Sequence, residues 1–140
     1  MERTLPGRQP IHTVYGGAHL FRADTATRLG ATARRALEEY APDAATLATA
    51  LDLNAAAAER VLPRVRAKLE QEPVEDFRLD FEDGYGTRSD AEEDGHAVSA
   101  AREVAAGFKA GTLPPNFVIT LPKITEAEQS RTMKFTVMTV

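Results

Sequence analysis

The chain has 140 residues, 43% hydrophobic and 27% charged, with a formal net charge of −4; this fits one globular domain and argues against a nucleic-acid partner, which would want a basic patch. It has no cysteine, so a disulfide framework and a thiolate zinc site are excluded and a reducing cytoplasm is expected. No apolar run approaches the roughly 20 residues of a membrane span, and the start, Met1-Glu2-Arg3-Thr4-Leu5-Pro6-Gly7, lacks the apolar stretch of a signal peptide.

Residues 1–9 read as a flexible arm. Ile11 to Tyr15 is rich in β-branched and aromatic residues and predicts a strand, broken by Gly16-Gly17. Asp24 is placed to cap a helix to Tyr40, with Ala26, Leu29, Ala33, Leu37 and Tyr40 as its apolar stripe. Asp43 is placed to cap a second helix carrying Leu47 and Leu51. Asn54 is placed to cap a third, with Val61, Val65 and Leu69 on one face. Pro63 lies inside that third pattern and predicts a kink, or a helix that starts near it.

Phe77, Leu79 and Phe81 alternate with Arg78, Asp80 and Glu82, which predicts a strand with one apolar and one charged face. Gly84-Tyr85-Gly86 turns the chain. Ser89 and Glu92 form a capping-box pattern, and the acidic residues around them suit a helix N-terminus. That helix is expected to reach about Ala106 and stop at Gly107. Asn116 to Ile124 predicts another strand, and Thr125 with Glu128 a last capped helix. Strands alternating with helices predict an α/β fold with a parallel sheet.

In such folds the loops after the strands' C-terminal ends build the site. Asp80, Glu82 and Asp83 stand at such an end. Carboxylates there can ligate a hard cation, directly or through water, or orient an arginine that holds an anion. They also suit a half-exposed strand whose polar face meets water. His12, Tyr15 and His19 flank the first strand's end and are expected to reach the same place. A histidine there can be a general base or a ligand contact, or a plain turn or buried residue. His96 reads as structural or solvated. Lys123, after the third strand, can pair with an anion or be an ordinary surface lysine. The position of Arg102 on its helix does not decide which way it faces.

The strand end Leu79-Asp80-Phe81-Glu82-Asp83-Gly84, followed by a capped acidic helix with Ala101-Arg102, resembles the citrate lyase β-subunit and HpcH/HpaI aldolase superfamily. Those proteins carry a D-L-E-D-A/G signature after an early barrel strand. The stretch from Pro10 to Pro115 is similar to a bacterial branch whose members are labelled aldolase, citrate-lyase-like or phosphoenolpyruvate kinase. The matching segments are Pro10-Ile11-His12-Thr13-Val14-Tyr15-Gly16-Gly17-Ala18-His19-Leu20-Phe21 and Asp80-Phe81-Glu82-Asp83-Gly84-Tyr85-Gly86. The resemblance implies a TIM-type barrel of the pyruvate/phosphoenolpyruvate-binding kind. It implies chemistry at a carbon–carbon bond beside a carbonyl, through an enolate stabilised by Mg²⁺ and an arginine. Asp80, Glu82 and Asp83 would line and organise the pocket, with Glu82 and Asp83 touching the metal at most weakly or through water. The principal metal ligands would come from later strands.

Two departures from the family pattern stand out. A complete barrel takes about 250 residues, so the chain is expected to hold about three strands, an N-terminal portion that is inactive alone. The family's substrate-holding arginine falls at Thr120, in Phe117-Val118-Ile119-Thr120-Leu121-Pro122-Lys123; Lys123 offers a charge without arginine's fork.

The expectation is therefore an incomplete (β/α)8 barrel over residues 10–129, between the arm 1–9 and an atypical tail 130–140. Its function would be that of a Mg²⁺-dependent carbon–carbon lyase or aldolase acting on a small oxo-acid or acyl-CoA. Two alternatives stay open. One is phosphotransfer involving phosphoenolpyruvate, although no Walker-type glycine loop is present. The other is a non-catalytic α/β module that forms a homo-oligomer through exposed sheet edges. No membrane partner is expected.

Overall fold

The computed structural model describes residues 8–120; Lys123, the Thr125–Glu128 pattern and the tail 130–140 lie outside them, as does most of the N-terminal arm. The described chain runs β1 (Thr13–Gly17), a 3₁₀ turn (Ala18–Leu20), α1 (Thr25–Tyr40), α2 (Ala44–Leu51), α3 (Ala55–Gln71), β2 (Asp76–Asp80), α4 (Asp90–Ala110) and β3 (Asn116–Thr120). The three strands form one parallel sheet in the order β1-β2-β3. Parallel neighbours need long crossovers, which the helices supply. The expected α/β architecture is thus present, and among the described residues no helix is long and apolar enough to cross a membrane.

The register assigns each side chain to a face. Val14 pairs with Phe77, and Phe77 with Phe117; Gly16, Leu79 and Ile119 form the next row. These positions face the main core, where Phe77, Leu79 and Phe81 pack with Phe21, Ala26 of α1 and Ala97 and Ala100 of α4. The Phe21, Phe77 and Phe117 rings lie 5.3–5.9 Å apart, within the usual range for packed aromatic pairs. The intervening rows project from the other face: Thr13, Asp76 and Asn116; Tyr15, Arg78 and Val118; Gly17, Asp80 and Thr120. The centre of that face is open, with Tyr15 63% and Val118 38% exposed.

β1 lies two residues later than expected, because Gly16 and Gly17 belong to the strand. A Cβ on Gly16 would meet Phe77 Cζ at 2.7 Å; the glycine is what lets the neighbouring phenylalanine fill the core beneath it. The apolar stripe of α1 also shifts. Ala26 and Gly30 are buried, whereas Leu29 is 40% and Tyr40 70% exposed. Asp24 occupies the N-cap position without capping; its carboxylate pairs with Arg28 at 3.3 Å. Asp43 and Asn54 do cap, each accepting from the backbone N–H three residues on at 2.8 Å. α3 runs unbroken through Pro63. The Asn54 cap and the burial of Ala58 and Leu62 hold both halves in one helix, so no helix starts at the proline.

The capping box of α4 forms as expected, Ser89 Oγ accepting from Glu92 N while Glu92 reaches back to Ser89 N. The expected stop at Gly107 does not occur. Gly107 is buried, a Cβ there would meet Leu113 at 2.7 Å, and the helix ends at Gly111, which takes the left-handed conformation with φ +67°. At the N-terminal edge of the sheet, buried Glu75 accepts from Ile11 N at 2.9 Å and pairs with Lys68 at 2.7 Å and Arg8 at 3.2 Å. This network ties Arg8 and Ile11 to the end of α3.

Candidate functional site

The C-terminal edge of the sheet is the row Gly17, Asp80 and Thr120 on the open face. Asp80 is 4% exposed. One carboxylate oxygen accepts from Glu82 N at 2.8 Å and Thr120 Oγ1 at 2.9 Å, and the other accepts from Gly84 N at 2.7 Å. Burial pushes its pKa up, but the two backbone N–H groups and the threonine hydroxyl outweigh this and hold it below the usual aspartate value. Asp80 is therefore an ionised anchor. It folds the segment Glu82–Gly84 back over the strand end and ties it to β3.

The turn is closed further by Tyr85 N and Gly86 N donating to Glu82 O at 3.1 and 3.3 Å. Two glycines permit this closeness. A Cβ on Gly84 would meet Asp80 Oδ2 at 2.7 Å. A Cβ on Gly17 would collide with the Gly84 carbonyl oxygen and meet His19 Cε1 at 2.7 Å and Nδ1 at 2.9 Å. The end of β1, the turn after β2 and the imidazole of His19 thus crowd one spot. Glu82 is half-buried there and Asp83 exposed.

A second set of side chains backs the turn. Tyr85, 5% exposed, is hydrogen-bonded through its hydroxyl to His96 Nδ1 of α4 at 2.7 Å. The His19 ring stands edge-on to Tyr85 at 5.5 Å and lies 5.9 Å from His96. The Arg88 guanidinium lies 4.9 Å over the Tyr85 ring, a cation–π distance. Burial, helped by the positive charge of Arg88 and by His96, holds the His19 pKa below the ordinary histidine value. Burial also raises the pKa of Tyr85.

The predicted residues separate on this frame. Asp80, Glu82, Asp83 and His19 come together. Tyr15 is on the same open face, one row away, beside Arg78. Arg78 itself is turned to Asp76, with Nε to Oδ2 at 2.8 Å. His12 precedes β1 and lies at the opposite end of the sheet, roughly 16 Å from Gly17 at the rise of an extended strand. Arg102 is exposed. Lys123 is outside the described residues. Gly17, Tyr85, Arg88 and His96 belong to the cluster although sequence reasoning does not mark them as site residues, and Thr120, the position at which the resemblance expects an arginine, joins them through its bond to Asp80. Tyr85 is inside the Asp80–Gly86 motif, but the others are joined to it only by tertiary packing.

Both oxygens of Asp80 are committed, so a cation at this edge would have to use Glu82 and Asp83. Among the described residues there is no group of three or more His, Asp or Glu side chains that could hold a metal. Two carboxylates completed by water still suit Mg²⁺, which keeps much of its hydration. The cavity of about 220 Å³ lined by Gly30, Arg34, Pro73, Gly111 and Pro115 lies by the N-terminal edge, away from this cluster.

The chain matches one family model, described as a domain of unknown function (DUF6986), over residues 2–140. Comparison with the curated proteins returns no match, and neither does comparison with the solved structures.

Proposed function

We propose that this chain, which belongs to the DUF6986 family, forms the first strands of a TIM-type barrel. In this reading it supplies one wall of a Mg²⁺-dependent carbon–carbon lyase or aldolase site for a small oxo-acid or acyl-CoA. The observation that carries the reading is the Asp80 anchor. A buried carboxylate spends three hydrogen bonds to hold an acidic turn at the C-terminal edge of a parallel sheet. Barrel enzymes place their sites at that edge. The resemblance of the same turn to the citrate lyase β-subunit and HpcH/HpaI aldolase superfamily points the same way.

Glu82 and Asp83 are the residues that would contact the metal, partly through water, and a bound Mg²⁺ supplies Lewis-acid polarisation of a carbonyl. The chain's own part is positional. Asp80 fixes the turn, and Thr120 locks it to β3. Gly17 and Gly84 keep the backbones close enough for strand end and turn to share one ligand. No step of this needs Asp80 to change protonation.

The test is backbone NMR of the ¹⁵N-labelled protein with millimolar Mg²⁺ and oxalate, a planar dianion shaped like the enolate of pyruvate. The amides of Gly17, Glu82, Asp83, Gly84 and Thr120 are expected to shift only when both are present, and an E82Q/D83N variant should lose the response. Unmoved amides would overturn the reading. A response to Mg²⁺-ATP instead of oxalate would transfer it to phosphotransfer.

A further inference from the structure

Two histidines, an arginine and a buried tyrosine pack together behind the Glu82–Gly84 turn. His19 comes from the 3₁₀ turn after β1, Tyr85 and Arg88 from the loop after β2, and His96 from α4. The His19 ring occupies the space left by the missing side chain of Gly17. Its Cε1 and Nδ1 lie 2.7 and 2.9 Å from where a Cβ would stand, and the Gly84 carbonyl oxygen closes the same spot. The ring is edge-on to Tyr85. Its Nδ1 is buried and has no hydrogen-bond partner among the described residues. The Tyr85 hydroxyl is already taken by His96 Nδ1 at 2.7 Å. His19 is therefore held by its shape, as a plug between the end of β1 and the turn.

Such a plug fits only while it is uncharged. A protonated imidazole carries an N–H on both nitrogens. The enclosed Nδ1 would then be a buried donor with nothing to receive it, and its cation would share Tyr85 with the Arg88 guanidinium and stand 5.9 Å from His96, ring to ring. The nearby acids do not relieve this. Asp80 is committed to Glu82 N, Gly84 N and Thr120, and Glu92 to Ser89. The charges of Glu92 and Glu93 act on Tyr85, and Glu82 and Asp83 belong to the turn itself. Burial first, then Arg88 and His96, hold the His19 pKa below the ordinary 6.5. The way out is short, because His19 is only half-buried and the next residue, Leu20, is 67% exposed.

We propose that His19 is an acid-sensitive latch: neutral, it seals the end of β1 to the Glu82–Tyr85 turn, and protonated, it leaves its place beside Gly17 and lets the turn open. The folded pKa is the lower one, so the closed arrangement is complete above about 6.5 and is lost as pH falls below that value. The opening is local. Asp80 stays ionised through this range, its pKa being held below the usual aspartate value, and Glu75 at the opposite edge titrates at about 2. The latch does not depend on which ligand the edge binds.

The test is amide hydrogen exchange at Gly84 and Tyr85 between about pH 7.5 and 5.5, the range in which histidine is the side chain that titrates. Rates are corrected for the intrinsic pH dependence of exchange, and Leu79 in the strand is the reference. In wild type the opening equilibrium is expected to rise at least about threefold on acidification, with a ceiling of about tenfold for one proton taken up a pH unit below 6.5. His19→Gln, which takes no proton, and His19→Phe, which keeps a ring in the space, should stay flat. His96→Gln should keep the rise, and so should H12Q, since His12 is at the far end of the sheet. A smaller rise in wild type overturns the proposal, as does a rise that survives in H19Q or disappears in H96Q. A fall in opening, which an Nδ1–H bond to the Gly84 carbonyl would produce, overturns it too. Should neither His19 variant fold, the imidazole signals of wild-type His19 decide: their titration midpoint must lie below 6.5 and track the opening at Gly84, and a midpoint at or above 6.5 refutes the latch.

Discussion

Asp80→Asn is the sharpest perturbation of the candidate site, because it changes one atom and removes a charge. The native carboxylate accepts from Glu82 N, Thr120 Oγ1 and Gly84 N. An asparagine can keep its oxygen toward Glu82 N and Thr120. Its amide nitrogen then faces the Gly84 N–H, a donor against a donor at a site where the native separation is 2.7 Å. One charge-assisted hydrogen bond is lost and one backbone donor is stranded. A hydrogen bond to a charged group contributes about 1.5–3 kcal/mol, so the expected destabilisation is about 2 kcal/mol. For a domain of this size that lowers Tm by roughly 8 °C. Urea unfolding followed by circular dichroism gives the first number. Native-state amide exchange at Gly84 should rise more than at Leu79, which is in the strand itself. Thr120→Val removes the donor to the other oxygen, and a double-mutant cycle with D80N should show coupling above about 0.5 kcal/mol. A D80N protein within about 0.5 kcal/mol of wild type, with Gly84 exchange unchanged, would refute the claim that this carboxylate holds the turn.

Glu75 predicts an acid-sensitive step at the opposite edge of the sheet. Lys68 first, then the Ile11 amide and Arg8, hold its pKa at about 2 against an ordinary 4.5. Its folded pKa is the lower one, so its stabilisation is complete above about 4.5 and is lost as pH falls toward 2. Denaturant midpoints measured across that window should fall less steeply in E75Q than in wild type. Two glycines should respond in opposite directions to alanine. Gly95 is helical, and a methyl group there would have nothing within 4 Å, so G95A is expected to stabilise by about 1 kcal/mol in thermal unfolding. G17A should destabilise by about 1–3 kcal/mol through overpacking, since its methyl would meet His19 and the Gly84 carbonyl, and it should also perturb the His19 imidazole signals.

What the sequence disclosed about this molecule follows the reach of each interaction. The caps at Asp43, Asn54 and Ser89 join residues three apart, and the alternation of Phe77, Leu79 and Phe81 repeats every two residues. Signals of that range are visible in a window of text. The ends of β1 and α4 depart from the local signal for the opposite reason. Gly16 and Gly107 look like breakers, yet each is required by a distant side chain, Phe77 in one case and Leu113 in the other. The later start of β1 puts His12 at the far end of the sheet and Tyr15 at its middle, away from the turn both were expected to reach. The same logic explains the site. The pattern around Asp80 marked a carboxylate run at the C-terminal edge of the sheet, but such a run does not say which member is satisfied. That depends on Thr120, 40 residues away, and on Gly17, which no local pattern connects to Gly84. Once those contacts are known, the roles divide by burial: Asp80 is the anchor because its acceptors are filled within the protein. Any ligand chemistry at this edge must then be carried by its neighbours, of which Asp83 is the exposed carboxylate.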